Sequence, residues 1–114
     1  MIAMIRVYFL SGPEGLIQEF TVKGHAGCEV AGKDIVCAAV SAVVQTAVIG
    51  LTDVAGVHPE HTQHNGFLKC VLPEKINEEQ KKAASIILHT MLAGLMSIKS
   101  GYPNLISIQE RMVD

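Results

Sequence analysis

The sequence has no tryptophan, and only two tyrosines and three phenylalanines, so its core has to be built from aliphatic side chains. Charge is scarce as well: 18% of the 114 residues are charged, against 49% hydrophobic. A chain with that balance folds rather than remaining disordered, and its length is that of one domain. The net charge of −2 lacks the cationic excess with which DNA- and RNA-binding domains neutralise phosphates, which argues against direct nucleic-acid binding. Cysteine is sparse and odd in number. Cys28, Cys37 and Cys70 cannot all pair within one chain, so a reducing compartment, the cytoplasm, is expected. There is no phosphate-cradling glycine loop, dinucleotide fingerprint or nucleophile elbow. No apolar leader with a small-residue cleavage site opens the chain, and no signal peptide is expected.

What the chain does have is one long apolar run, Ile35 to Leu51, interrupted only by Cys37, Ser41, Gln45, Thr46 and Gly50. At about 17 residues it stands at the lower limit for a bilayer span, but no basic or aromatic anchors flank it. The reading is therefore a core helix and no membrane. Val and Ile favour a strand locally; the length of the run and its alanines decide for a helix, apolar nearly all round and buried on several sides. Asp34 stands where an N-cap would.

Around that helix the pattern alternates. Ile2 to Leu10 places Ile5, Val7 and Phe9 on one face and Arg6 and Tyr8 on the other. Ser11-Gly-Pro-Glu-Gly15 is a turn, and Leu16, Gln18, Phe20 and Val22 then alternate with Ile17, Glu19, Thr21 and Lys23, giving a β-hairpin. Residues 25 to 33 have no periodicity and read as a loop. Residues 52 to 66 are turn-rich and His-rich, with a short strand, and Phe67 to Leu72 is another strand. Asn77 with Gln80 is a capping pair for a second helix, whose Ala83, Ala84, Ile87, Leu88, Met91, Leu92, Leu95 and Met96 recur at helical spacing. Gly101 and Pro103 end it, and a final strand, Leu105 to Ile108, precedes a polar tail. The order β-β-α-β-β-α-β predicts a single α+β domain, residues 1–114, with an antiparallel-rich mixed sheet and two long helices packed on it.

The residues with chemistry to offer cluster at the start of the first helix. With Asp34 as N-cap, Cys37 falls in the first helical turn, where the positive end of the helix favours thiolate over thiol. That is one way to activate a sulfur nucleophile. His25 lies where the second strand ends, so strand end, loop and helix start can bring imidazole and thiol together. Ser41 follows Cys37 by one turn on the same face. Against this stands the plainer reading of Cys37 as a small core hydrophobe. An Asp34 cap on the Cys37 amide would also occupy an oxyanion-hole donor and oppose the thiolate charge.

The segment Lys23-Gly-His-Ala26, followed by Asp34-Ile-Val-Cys-Ala-Ala-Val-Ser41, resembles the ribosomal-processing cysteine protease family, Prp, and the similarity extends over nearly the whole chain. Members are small homodimeric enzymes that remove an N-terminal extension from large-subunit ribosomal protein twenty-seven (bL27). The resemblance implies Cys37 as nucleophile, His25 as base, and Gly24, Asp34 and Ser41 as supporting positions. It also implies a covering loop from Ala26 to Lys33 and an apolar pocket for the aromatic residues before the cut; no cofactor or metal is expected. Cys28 lies outside the motif; under oxidation a Cys28–Cys37 linkage is conceivable.

Two other sets compete. His58, His61 and His64, with Glu60 among them, have the residue types of a metal site, but Pro59 and Asn65-Gly66 point to a solvated hairpin. His89 reads as helix surface or interface, and Met4, Met91 and Met96 as core. The second class of function is a non-enzymatic, ribosome-assembly-associated binding protein, which would have no need of a reactive Cys37.

Overall fold

Period-two alternation in the first strand sets which way the sheet faces. Ile5, Val7 and Phe9 are buried, while Arg6 points to the opposite, open side. The structure, a computed structural model, describes residues 4–24 and 33–113. Its elements run β1 Ile5–Ser11, β2 Ile17–Lys23, α1 Lys33–Asp53, β3 Glu60–His64, β4 Phe67–Val71, α2 Glu78–Gly101 and β5 Ile106–Met112. The strands form one five-stranded sheet in the order β3-β4-β2-β1-β5. Every pairing is antiparallel except β1 with β5, which is parallel. This is the α+β architecture, with the β-β-α-β-β-α-β order, that the sequence predicts.

Two layers enclose one aliphatic core. Strand residues Phe20, Val22, Leu68 and Ile106 join Val36, Val40, Val44 and Leu51 of α1 and Ala84, Leu88, Met91 and Leu95 of α2 in a single buried cluster. The other face of the sheet is polar. There Lys69 pairs with Glu19 at 3.8 Å, and the Lys23 ammonium lies 5.7 Å over the Tyr8 ring.

Several boundaries differ from the sequence pattern, each for a physical reason. In β2 the inward residues are Ile17, Phe20 and Val22, because the register shifts between Leu10 and Ser11: Leu10 pairs with Glu19 but Ser11 pairs with Ile17. Gln18 is the extra residue of a β-bulge, which flips the alternation so that Ile17 turns inward. β5 continues past Ile108 to Met112, because its parallel ladder with β1 holds Gln109, Glu110 and Arg111 opposite Tyr8, Phe9 and Leu10. An edge strand tolerates such polar side chains.

The second helix follows its signals closely. Asn77 caps α2 with a reciprocal box, the Gln80 amide donating to Asn77 Oδ1 at 2.8 Å and the Asn77 amide to Gln80 Oε1 at 3.0 Å. At the other end the Tyr102 amide closes onto the Ile98 and Lys99 carbonyls. By length and composition α1 and α2 could each cross a membrane, yet the inner stripe of α1 lies in the core described above. Its outer stripe is not buried as the sequence suggested: Ile35 is 62% and Ile49 56% exposed. Met96 is likewise exposed, whereas Met91 is core.

Candidate active site

The end of β2 is shaped by Gly24. Its φ of 83° is in the left-handed region, where a glycine is favoured, and its amide donates to the Gly66 carbonyl at 2.9 Å. A Cβ on this residue would stand 3.0 Å from the Met4 carbonyl oxygen. Gly24 is thus wedged between the start of β1 and the Asn65-Gly66 turn joining β3 to β4, and it fixes the point from which the chain leaves toward His25. His25, Cys28 and the covering segment from Ala26 lie outside the described residues, as does any pairing of Cys28. Lys33, expected at the end of that loop, is instead the first residue of α1.

That early start corrects the capping expectation. Asp34 is inside α1, not its N-cap, and its Oδ1 accepts from the neighbouring Ile35 amide at 3.0 Å. Cys37 then belongs to the second turn, where backbone amides bond within the helix. The conflict foreseen between an Asp34 cap and the Cys37 amide therefore does not arise. Asp34 keeps an acidic charge in the first turn, which suits the positive end of the helix. Helical side chains lean toward the N-terminus, so the Cys37 side chain leans back over the opening turn.

Cys37 is 4% exposed and is disulfide-bonded. Cys70 is not its partner: it is free and buried in β4, and burial pushes its thiol up to about 12. Two cysteines in one core thus differ in kind. Cys70 is an inert packing residue, while Cys37 is held in a disulfide near the start of α1. Ser41, one turn on, is half-buried and lines a narrow crevice with Val22, Val40, Val44, Gln45 and Leu68. Val22 and Leu68 are the strand residues two positions from Gly24 and Gly66. The helix face bearing Cys37 and Ser41 is packed against the same β2–β4 pair that ends in the Gly24–Gly66 contact.

A family model for cysteine protease Prp matches residues 4–107. The chain belongs to that family. The ribosomal processing cysteine protease Prp of Staphylococcus aureus is 31% identical over 101 residues, which are 87% of this chain and 92% of that protein. The crystal structure of S. aureus Prp in complex with a substrate peptide matches with a TM-score of 0.84 at 26% identity, over 95% of this chain and 100% of that one. The structure of the same protease with a covalently linked product peptide matches at a TM-score of 0.81 and 29% identity, with the same coverage.

The competing constellations separate in space. His61 and His64 lie on β3, opposite Cys70 and Phe67; three residues apart in a strand, they point to opposite faces. His64 stacks on Phe67, ring centroids 5.0 Å apart. Among the described residues no three His, Cys, Asp or Glu side chains converge on a metal position. His89 is on the surface of α2, its Nδ1 2.8 Å from the Ser85 carbonyl oxygen. The residue missed in the sequence is Gly66. Its Asn-Gly pair signalled a hairpin, but nothing in the sequence said that the hairpin tip would dock on Gly24.

Proposed function

We propose that the protein is a cytoplasmic, homodimeric cysteine endopeptidase that removes the N-terminal extension of large-subunit ribosomal protein twenty-seven during ribosome assembly. Cys37 is its nucleophile and His25 its base. The observation that carries this reading is the coincidence of two things: membership of the Prp family over residues 4–107 and a cysteine on the opening turns of α1, packed against the strand that leads into Gly24-His25. The S. aureus relative, whose structures hold a substrate peptide and a covalently linked product peptide, supports a peptide substrate and a covalent route.

The chemistry follows from the residue types. His25 takes the proton of reduced Cys37, and the thiolate attacks the scissile carbonyl. The tetrahedral oxyanion collapses to a thioester as the amine of the mature protein leaves with a proton from the imidazolium. His25 then activates water, which hydrolyses the thioester and frees Cys37. Gly24 and Asp34 act on this chemistry through geometry, by setting the departure of the His25 segment and the charge of the first turn. Ser41 supports the Cys37 face of α1.

Incubation of the reduced protein with the host's precursor of ribosomal protein twenty-seven, read by intact mass, tests the reading. A single cut near the precursor's N-terminus, after an apolar residue, is expected, and Cys37→Ala and His25→Ala should each lower its rate by at least a thousandfold. Full activity in either variant removes that residue from the mechanism. An uncut precursor that bears an extension favours a binding protein instead.

A further inference from the structure

The net charge of −2 speaks against a nucleic-acid binder only if charge is evenly spread, and the fold spreads it unevenly. Both helices pack on one side of the sheet, and strand register lays out the open side in rows. One row, at the Gly24 end, runs His64, Phe67, Lys23 and Arg6 from β3 to β1. The next, two residues along, carries Lys69 and Tyr8, and neither row holds a carboxylate. Only the third row does, with Glu60 and Glu19 in line with Arg111. The face thus has four cations against two carboxylates, while the rest of the chain has five against nine.

Rings stand among those cations. His64 stacks on Phe67 with centroids 5.0 Å apart, and the Lys23 ammonium lies 5.7 Å over Tyr8. Tyr8 also lines a hollow of about 350 Å³, with Thr21, Gln109, Arg111 and two carboxylates, Glu19 and Glu110, around it. That is the size of a small-molecule site. Its hydroxyl, carboxamide and carboxylate groups suit the neutral hydrogen-bonding edge of a base, whose amino groups a carboxylate accepts from. From β3 to β1 the platform is about 15 Å wide at ~4.8 Å per strand. A sheet of similar extent can seat two or three stacked bases.

We propose that this face binds single-stranded RNA, with bases against Tyr8 and the His64–Phe67 pair and phosphates against Arg6, Lys23 and Lys69. Every base has a face to stack on a ring, and cations among the rings neutralise the backbone. A base that takes the Tyr8 ring frees the Lys23 ammonium for the neighbouring phosphate. An acidic peptide fits less well, because its carboxylates would meet ring faces of negative potential. A lipid surface fits less well too: among the described residues, no exposed large aliphatic side chain lies on this face. The binding goes beyond the proposed cleavage, and only the choice of RNA over DNA rests on the proposed ribosomal substrate.

Fluorescence anisotropy of a labelled octacytidine RNA, titrated with the reduced protein, tests this without reference to cleavage, so the surface and the protease reading fail separately. Binding at 50 mM KCl should weaken roughly twentyfold at 200 mM, as about three phosphate contacts on a single strand require. Arg6→Gln and Lys23→Gln should each weaken it at least threefold and flatten the salt dependence. Tyr8→Leu should weaken it at least fivefold. Lys82→Gln, which removes the same charge from the exposed side of α2, should leave it unaltered. Should Tyr8→Leu change the far-UV circular dichroism, the two charge variants, at exposed positions, decide the matter. No binding at 100 µM protein in 50 mM KCl, or binding indifferent to the face variants, would overturn the proposal. So would displacement of the RNA by polyglutamate at equal charge, or tighter binding of octadeoxycytidine or of phosphatidylserine vesicles, in favour of an acidic peptide, DNA or lipid respectively.

Discussion

Gly24, Cys37 and Cys70 show how far single residues can be read. That a glycine precedes His25 is visible in the sequence; why it must be glycine is not, because its φ of 83° and its 3.0 Å clearance from the Met4 carbonyl oxygen arise only when β1 and β2 pair. Gly24→Ala should therefore cost about 1–2 kcal/mol from the left-handed backbone alone, with the close contact adding to it. Thermal unfolding should show a loss of several degrees, and an unchanged midpoint would contradict the role given to this residue. The two described cysteines look alike in composition, and only the fold tells them apart. Burial holds the Cys70 thiol up to about 12, so it stays protonated and silent to iodoacetamide at pH 8 in the native protein. Cys37 is disulfide-bonded, and a thiolate nucleophile exists only after reduction. Cleavage should accordingly require a thiol reductant, and the reduced native protein should be alkylated at Cys37 below pH 8 and at Cys70 only in denaturant. Peptide mapping that finds Cys70 labelled first would reverse the assignment.

At the scale of elements, legibility tracks how local the determining interaction is. α2 was readable almost to the residue because its capping box and its inward stripe of Ala84, Leu88, Met91 and Leu95 are written within the helix itself. Asn77→Ala, which removes the side-chain half of that box, should destabilise the domain by about 1 kcal/mol, measurable by urea unfolding; no change would mean that the exposed cap is dispensable. The start of α1 was less readable. Asp34 is a good N-cap residue, but the same carboxylate is equally at home inside the first turn, where it accepts from the Ile35 amide, and the sequence does not choose between the two. The bulge at Gln18 and the length of β5 were not readable at all, since both are set by β1: one by its register with β2, the other by a parallel ladder between residues about a hundred positions apart.

For the whole molecule, a five-stranded sheet with both helices on one face leaves two surfaces of opposite character. The open sheet face is polar, with Glu19, Lys23 and Lys69 on it, and the outer helix face is apolar and grooved. The α+β order and the aliphatic core follow from alternation and helical spacing. The meeting of the β3–β4 turn with Gly24 belongs to strand order, which no local pattern encodes. The proposed function requires Cys37, near the start of α1, to be the nucleophile of a peptide-cleaving site. The most direct measurement uses a peptide of the precursor's extension, ending at the cleavage point in an electrophilic chloromethyl ketone. After reaction with the reduced protein, mass mapping should find one equivalent on Cys37 Sγ and none on Cys70, with labelling lost in Cys37→Ala and slowed in His25→Ala. Labelling at another residue, or equal labelling of Cys37 and Cys70, would contradict the account.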